Sequence, residues 1–342
     1  MKILLFKVNH LGDNLVFLPV VQTLRERHPD WQLTVVTTPA EAVLYRDALE
    51  PERIWARQTK PAYDRCWRRP WELAAWWRRI RRLRPDACLV SYDQGNVSHL
   101  LAKYSGAGVR IGGNLSFIRL RHSLTHEVPK TATHQHVVDW NWAMARTLVR
   151  AAGGTDWPEV VPAPRLEHLA PAPNAPRTRV VIHAGARDAL RQWPLERMAE
   201  LAGRLARTHS VDWIERPETH APHLPASVQR VPTTTLAELV TVLRRAGLYV
   251  GNNSGPMHFA AAIGTPCVVI SGPTSYGWDP YWFPDRHTVL RMLGLACQPC
   301  ERNEHGVTTC ANLATPRICL QHWTVDAVEA ACRRTLANPA RD

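Results

Sequence analysis

The sequence predicts an α/β protein of two doubly wound, parallel-sheet domains, on three observations. Short β-branched strands alternate with amphipathic helices. The alternation runs in two blocks separated by a proline-rich stretch. The chain, at 342 residues, is long enough for each block to bury a core of its own.

The first block opens with an apolar strand over Lys2–Val8, a polar turn over Asn9–Asn14 and a helix from Leu15 to about Arg27. Leu15, Leu18, Val21 and Leu24 recur at helical spacing there, and His28-Pro29 ends the run. Strands follow over Gln32–Thr37, Ala87–Ser91 and Val109–Gly112, with a helix from about Trp71 to Leu83. Six prolines between Pro158 and Pro176 then rule out regular structure and read as a linker. The second block gives strands at Arg179–Ala184, Val211–Ile214, Leu248–Val250 and Cys267–Ser271. Its helices fall at Pro194–Thr208, Leu236–Ala246, Pro256–Ile263 and Val325–Leu336. The domains are therefore expected at 1–160 and 179–323, with a linker at 161–178 and a terminal helical segment at 324–342. In such sheets ligands bind beyond the carboxyl ends of the strands, here in an interdomain cleft.

A hydrophobic fraction of 45% and a charged fraction of 21% describe an ordinary globular protein. The apolar run at the start is too short to span a membrane and has no small-residue cleavage site after it, so a cytoplasmic protein is expected. A net charge of +12 calls for an anionic partner, whether nucleic acid, lipid or phosphorylated substrate. Nucleic acid is the weakest of these, because no recognised nucleic-acid motif is present. There is no Walker loop and no Gly-x-Ser-x-Gly elbow, which argues against nucleotide triphosphatase and serine-hydrolase chemistry.

The most informative run is Gly251-Asn252-Asn253-Ser254-Gly255-Pro256-Met257-His258, continued by Gly264-Thr265-Pro266 and Gly272-Pro273-Thr274. A strand ends at Val250, and a turn of small residues feeds a helix whose first turn holds proline. Free N–H groups and the positive end of that helix favour a phosphate oxygen. A capped tight turn would explain Ser254 and Pro256, but not the second small-residue turn one strand later.

This run resembles the donor-binding signature of the bacterial heptosyltransferases, glycosyltransferase family 9. Leu11-Gly12-Asp13 with Leu18-Pro19, and His183-Ala184-Gly185-Ala186 with Arg191-Gln192-Trp193-Pro194, are similar to two further motifs of that family, in the same order. The resemblance spans nearly the whole chain. It implies a GT-B architecture of two Rossmann-like domains and an inverting, metal-independent transfer from an ADP-sugar, with no catalytic cofactor. The absence of any Asp-x-Asp motif agrees with that.

Asp13 carries two readings, a helix-capping carboxylate or, by resemblance, the base that deprotonates the acceptor hydroxyl. Arg191 stands where members often carry Lys, and with Arg187 it would offset charge on the diphosphate. The resemblance also assigns donor contacts to Glu218, Asn252, Asn253, Ser254, Gly255 and His258. Asn253 departs from the Asp found in many members.

From Lys60 to Arg84, nine basic residues stand against Asp64 and Glu72, a local net charge of +7. Leu73, Trp76, Trp77, Ile80 and Leu83 keep helical spacing within it. The turn Arg65-Cys66-Trp67-Arg68-Arg69-Pro70-Trp71 is similar to the acceptor loop of the heptosyltransferase I branch, and Asp93-Gln94-Gly95 to another motif of that branch. By resemblance Arg65, Arg68, Arg69, Asp93 and Gln94 would bind an anionic glycolipid, a Kdo-bearing lipid A, at the inner membrane surface. A protein or secondary-metabolite acceptor is the alternative. Cys297-x2-Cys300-x9-Cys310-x8-Cys319 reads either as a structural zinc or iron site or as a set of reduced thiols. The resemblance further implies that the last helix returns to the N-terminal domain.

Overall fold

The computed structural model describes residues 1–113, 120–131, 136–215, 223–300 and 309–338. The chain divides into two compact units, Met1–Arg165 and Leu166–Asp342. That boundary falls within the proline-rich stretch.

The first unit begins with β1 (Lys2–Phe6), a strand of the sheet interior whose side chains from Ile3 onward are all buried. It leads to α1 (Leu11–Leu15) and α2 (Leu18–Arg27). The single helix expected from Leu15 is thus two: the "turn" before it is already helical from Leu11, and Pro19 fits the first turn of α2. Then come β2 (Gln32–Val36), a 3-10 turn at Ala42–Tyr45, β3 (Ile54–Trp55), α3 (Lys60–Asp64) and α4 (Pro70–Leu83). The sheet is completed by β4 (Ala87–Val90), α5 (Asn96–Lys103), β5 (Val109–Gly113) and β6 (His126–Val128), and the unit closes with α6 (Val137–Ala151). All six strands are parallel, in the order β3-β2-β1-β4-β5-β6. Trp76 and Ile80 of α4 enter the core with Leu4, Phe6 and Val90, which leaves the arginine face of α4 outside.

The second unit repeats the plan. Its elements are β7 (Arg179–His183), α7 (Leu195–Leu205), β8 (Val211–Glu215), β9 (Val228–Pro232), α8 (Leu236–Arg244) and β10 (Ala246–Asn252). They continue through α9 (Gly255–Ala262), β11 (Cys267–Ile270), β12 (His287–Leu290), α10 (Ile318–Gln321) and α11 (Val325–Ala337). The order β12-β11-β10-β7-β8-β9 is again that of a Rossmann-like sheet, with its switch between the first and fourth strands of the unit. Helix α8 starts on a capping box, Thr235 Oγ1 accepting from the Glu238 N–H and Glu238 from the Thr235 N–H.

Helix α11 belongs to the core of the second unit. Its apolar stripe, Val325, Val328, Ala331 and Cys332, is buried in the core of the second unit beside α7.

Candidate functional site

In the first unit the switch point lies between β1 and β4, and the chain loads it with charge. Asp13 sits in the first turn of α1, whose N-cap residue is His10. Lys7, directly after β1, is 0% exposed and gives Nζ to Asp93 Oδ2 at 2.5 Å and to Ser91 Oγ at 3.0 Å. Asn9 Nδ2 donates to Asp93 Oδ2 at 2.7 Å, while Ser91 Oγ and Gln94 Nε2 donate to Oδ1 at 2.7 and 3.2 Å. Burial disfavours charge on Asp93, but the Lys7 ammonium and these donors outweigh it and hold the carboxyl below its usual range.

Gln94 is also buried, its Oε1 accepting from the Val8 N–H at 3.0 Å and from Ser98 Oγ at 3.2 Å. Sequence reasoning offered Asp93 and Gln94 to the acceptor. The structure commits the polar atoms described here to holding the β1 and β4 ends together. Lys7 was missed, although a lone lysine inside an apolar strand was a signal.

The predicted acceptor arginines are elsewhere on this unit and exposed. Arg65 Nε donates to the Pro61 carbonyl, Arg68 lies over the Trp67 ring at 5.1 Å, and Arg69 pairs with Glu72 at 3.0 Å. Trp67 and Trp71 are 57% and 68% exposed, which is unusual for the largest apolar side chain.

In the second unit the switch point lies between β7 and β10 and is built from amides. Asn252 is buried, its Oδ1 accepting from the Trp193 N–H at 2.9 Å and its Nδ2 donating to the Ala184 carbonyl at 2.7 Å. It therefore pins the segment after β7 to the end of β10. Asn253 Nδ2 reaches the Trp278 carbonyl at 3.0 Å and Asp279 Oδ1 at 3.1 Å. Arg291 Nη2, a residue not foreseen, donates to the same Asp279 oxygen at 2.6 Å and to Ser271 Oγ at 2.8 Å. Burial raises the Asp279 carboxyl above its usual range, and Arg291 and Asn253 only partly oppose this.

Ser254 takes the N-cap position of α9 without a side-chain cap bond, and its Oγ lies 3.4 Å from His183 Nδ1. His258 is buried, edge-on to Trp278. A Cβ on Gly251 would stand 2.7 Å from both the His183 carbonyl and the Tyr249 hydroxyl, so only glycine fits there. Arg187 and Arg191 follow β7 and both face Asp188, at 3.5 and 3.4 Å. Glu218 lies outside the described residues.

The four cysteines come together near this site. Burial, then the neighbouring Cys300, Cys310 and Cys297, push the Cys319 thiol up to about 11. Burial, then Cys297 and Cys310, raise Cys300. The Arg317 N–H donates to Cys310 Sγ at 3.3 Å. The donor set suits zinc or iron, yet among the described residues no three metal-ligating side chains gather closely enough to hold an ion. The segment also braces the site: Gln298 Nε2 donates to the Gly272 carbonyl at 2.7 Å, and Arg317 to the Gln192 carbonyl.

Among the described residues no helix is long and apolar enough to cross a membrane.

Comparison with known proteins agrees with this geometry. Residues 73–309 match the sequence profile of glycosyltransferase family 9 (heptosyltransferase). Lipopolysaccharide heptosyltransferase 1 of Salmonella typhimurium is 26% identical over 309 residues, covering 81% of this chain and 90% of that protein. The structure of E. coli heptosyltransferase WaaC with ADP superposes with a TM-score of 0.72 at 19% identity, covering 98% of this chain and all of WaaC. The iron-containing dodecameric glycosyltransferase TibC of enterotoxigenic E. coli gives 0.61 at 16% identity, covering 98% of this chain and 75% of TibC. The chain belongs to glycosyltransferase family 9, the heptosyltransferases of lipopolysaccharide core assembly, with the two Rossmann-like units of the GT-B fold.

Proposed function

We propose that the chain transfers L-glycero-D-manno-heptose from its ADP derivative to a Kdo-bearing lipid A acceptor, with inversion. The observation that carries this reading is the unequal loading of the two switch points, carboxylates in one unit and a small-residue turn with arginines in the other. Asp13 takes the proton of the attacking hydroxyl. The Asn252–Gly255 turn and the amino end of α9 receive the diphosphate, and Arg191 with Arg187 offsets the charge that builds as it leaves. Asn253 and His258 line that turn, and Glu218 is the acid assigned to the ribose. No catalytic metal takes part in this scheme.

Arg65, Arg68 and Arg69 bind acceptor carboxylates and phosphates, while Asp93 and Gln94 hold the ends of β1 and β4 in place. The exposed Trp67 and Trp71 suit the headgroup region of a bilayer, which supports peripheral contact with the inner membrane from its cytoplasmic side. Cys297, Cys300, Cys310 and Cys319 are the residues that would hold a structural zinc or iron, a reading supported by the electrostatic closeness of Cys300 and Cys319 to the other thiols. A second reading keeps the fold but transfers heptose or another nucleotide-activated sugar to a protein or secondary metabolite, and this cysteine segment is what favours it.

The test is incubation with ADP-heptose and Kdo-lipid A, with the product resolved by mass spectrometry and its anomeric configuration by NMR. One added heptose of configuration opposite to the donor supports the proposal. Retention, or heptose found only on protein, contradicts it.

A further inference from the structure

We propose that Asp279 and Arg291 are positioning residues of the donor turn. They fix the side-chain amide of Asn253 so that its oxygen is left as an acceptor for a hydroxyl of the donor. This rests on the assignment of that turn to an ADP-sugar. The placement starts from sheet register. Strands β10, β11 and β12 run parallel, with Asn252 opposite Ile270 and Ile270 opposite Leu290. The residues that follow, Asn253, Ser271 and Arg291, therefore leave the carboxyl edge of the sheet side by side. Asn253 is 3% exposed and the Arg291 side chain 6%.

The loop after β11 returns Asp279 to this row. Its Oδ1 accepts from Arg291 Nη2 at 2.6 Å and from Asn253 Nδ2 at 3.1 Å. Arg291 is fastened independently of Asp279. Its Nη2 also donates to Ser271 Oγ at 2.8 Å, its Nη1 donates to the Thr274 carbonyl, and its guanidinium lies 4.5 Å from the Tyr276 ring. One buried cation thus holds the Gly272–Thr274 turn and keeps Asp279 against Asn253.

An amide has two ends, and only one orientation works here. The Trp278 carbonyl, 3.0 Å from Asn253 Nδ2, and the carboxylate that Asp279 pairs to Arg291 both accept hydrogen bonds, so both call for the NH2 end. Ser271 Oγ lies 3.4 Å from the same nitrogen. The two Nδ2 hydrogens are spent on these partners, and among the described residues nothing donates to Asn253 Oδ1. That oxygen is the open end of a fixed group, and only a hydrogen-bond donor completes it. An ionised diphosphate oxygen has no hydrogen to give, whereas a hydroxyl has. Asn253 therefore reads a hydroxyl, and the N–H groups of the turn after it are left for the diphosphate. The same network accounts for an amide at this position, since an aspartate at 253 would set a second carboxylate against Asp279.

Readouts without and with ligand on the full chain test this. In protein labelled with 15N-asparagine, the side-chain amide of Asn253 is assigned by its loss in Asn253→Asp. It is expected to exchange with water roughly tenfold more slowly in the wild type than in Asp279→Ala; equal exchange overturns the clamp. Asp279→Ala leaves Arg291 buried without its partner, so Asp279→Ala with Arg291→Met serves where the single variant does not fold. By calorimetry, Asp279→Ala is expected to raise the Kd for ADP-heptose by about tenfold, and Asp279→Asn, which keeps an acceptor oxygen, by no more than about threefold. Asn253→Asp should lose about as much as Asp279→Ala. Adding Asp279→Asn to it should recover most of that loss, because carboxylate and amide have then exchanged places. Equal losses for ADP and ADP-heptose put the hydroxyl on the ribose, and a loss confined to ADP-heptose puts it on the transferred sugar. Unchanged affinity for both ligands in Asp279→Ala, or a double variant no better than Asn253→Asp, overturns the positioning role. A protected Asn253 amide in a wild type that does not bind ADP-heptose supports the clamp and counts against the donor assignment.

Discussion

The two units share one strand order and place their functional residues at the same topological point, yet they equip it differently. At the switch point of the first unit stand Asp13 and the buried Lys7–Asp93 pair. At the equivalent point of the second stand Asn252, Asn253 and a turn of Ser254 and Gly255, with arginines on the preceding segment. Identical backbone plans thus leave the chemistry to the loops. Asp13 and a buried lysine–aspartate pair collect on one sheet, and amides, a small-residue turn and arginines suited to a diphosphate collect on the other.

The largest test of this contrast removes the buried cation of the first switch point. Lys7→Met leaves the Asp93 carboxylate buried without its cation and is expected to cost about 3–5 kcal/mol in urea unfolding. Asn252→Asp, which adds charge to the amide-built point, should disrupt the segment after β7 and donor binding first. The pH dependence of stability sharpens the comparison further. Asp93 has a lowered carboxyl, so its contribution is present above the unfolded value near 4 and is lost as the pH falls below it. Glu41, just before the 3-10 turn, has one that burial raises, so the native state binds the extra proton between about 4.5 and about 7 and stability declines as pH rises through that window. Glu41→Gln should abolish that decline, worth roughly 2–3 kcal/mol, as read by urea midpoints across pH.

In the second unit, Arg191→Gln is expected to raise the donor KM by roughly tenfold or more, whereas Arg191→Lys, keeping the charge but not the fork, should raise it less. The smallest effect belongs to the exposed loop. Arg68→Gln with Arg69→Gln should weaken binding to anionic vesicles a few-fold at low salt, with little effect at high salt.

Most of the fold was legible because strands buried on both faces, such as Lys2–Phe6 and Cys267–Ile270, read as short apolar runs. The edge strands β3, β9 and β12 were not, since they are short or carry polar side chains. Helix α6 was passed over because Asp139, Asn141 and Arg146 interrupt its apolar pattern. The turns at 252–255 and 11–13 announced the site through small residues at strand ends. What they could not announce was partnership. Nothing in sequence joins Asn14 to Tyr45, Asn253 to Asp279, or Arg291 to Ser271, because each pair is made by neighbouring strands far apart in the chain. Nor does the sequence show that the side chains of Asp93 and Gln94 knit β1 to β4.

The division of labour is tested most directly by measuring, on Asp13→Asn, both calorimetric affinity for ADP and acceptor-dependent ADP release from ADP-heptose. The account predicts an ADP Kd within about twofold of wild type and a release rate lower by roughly a thousandfold. A variant that loses ADP affinity in step with its rate, or keeps its rate, would contradict it.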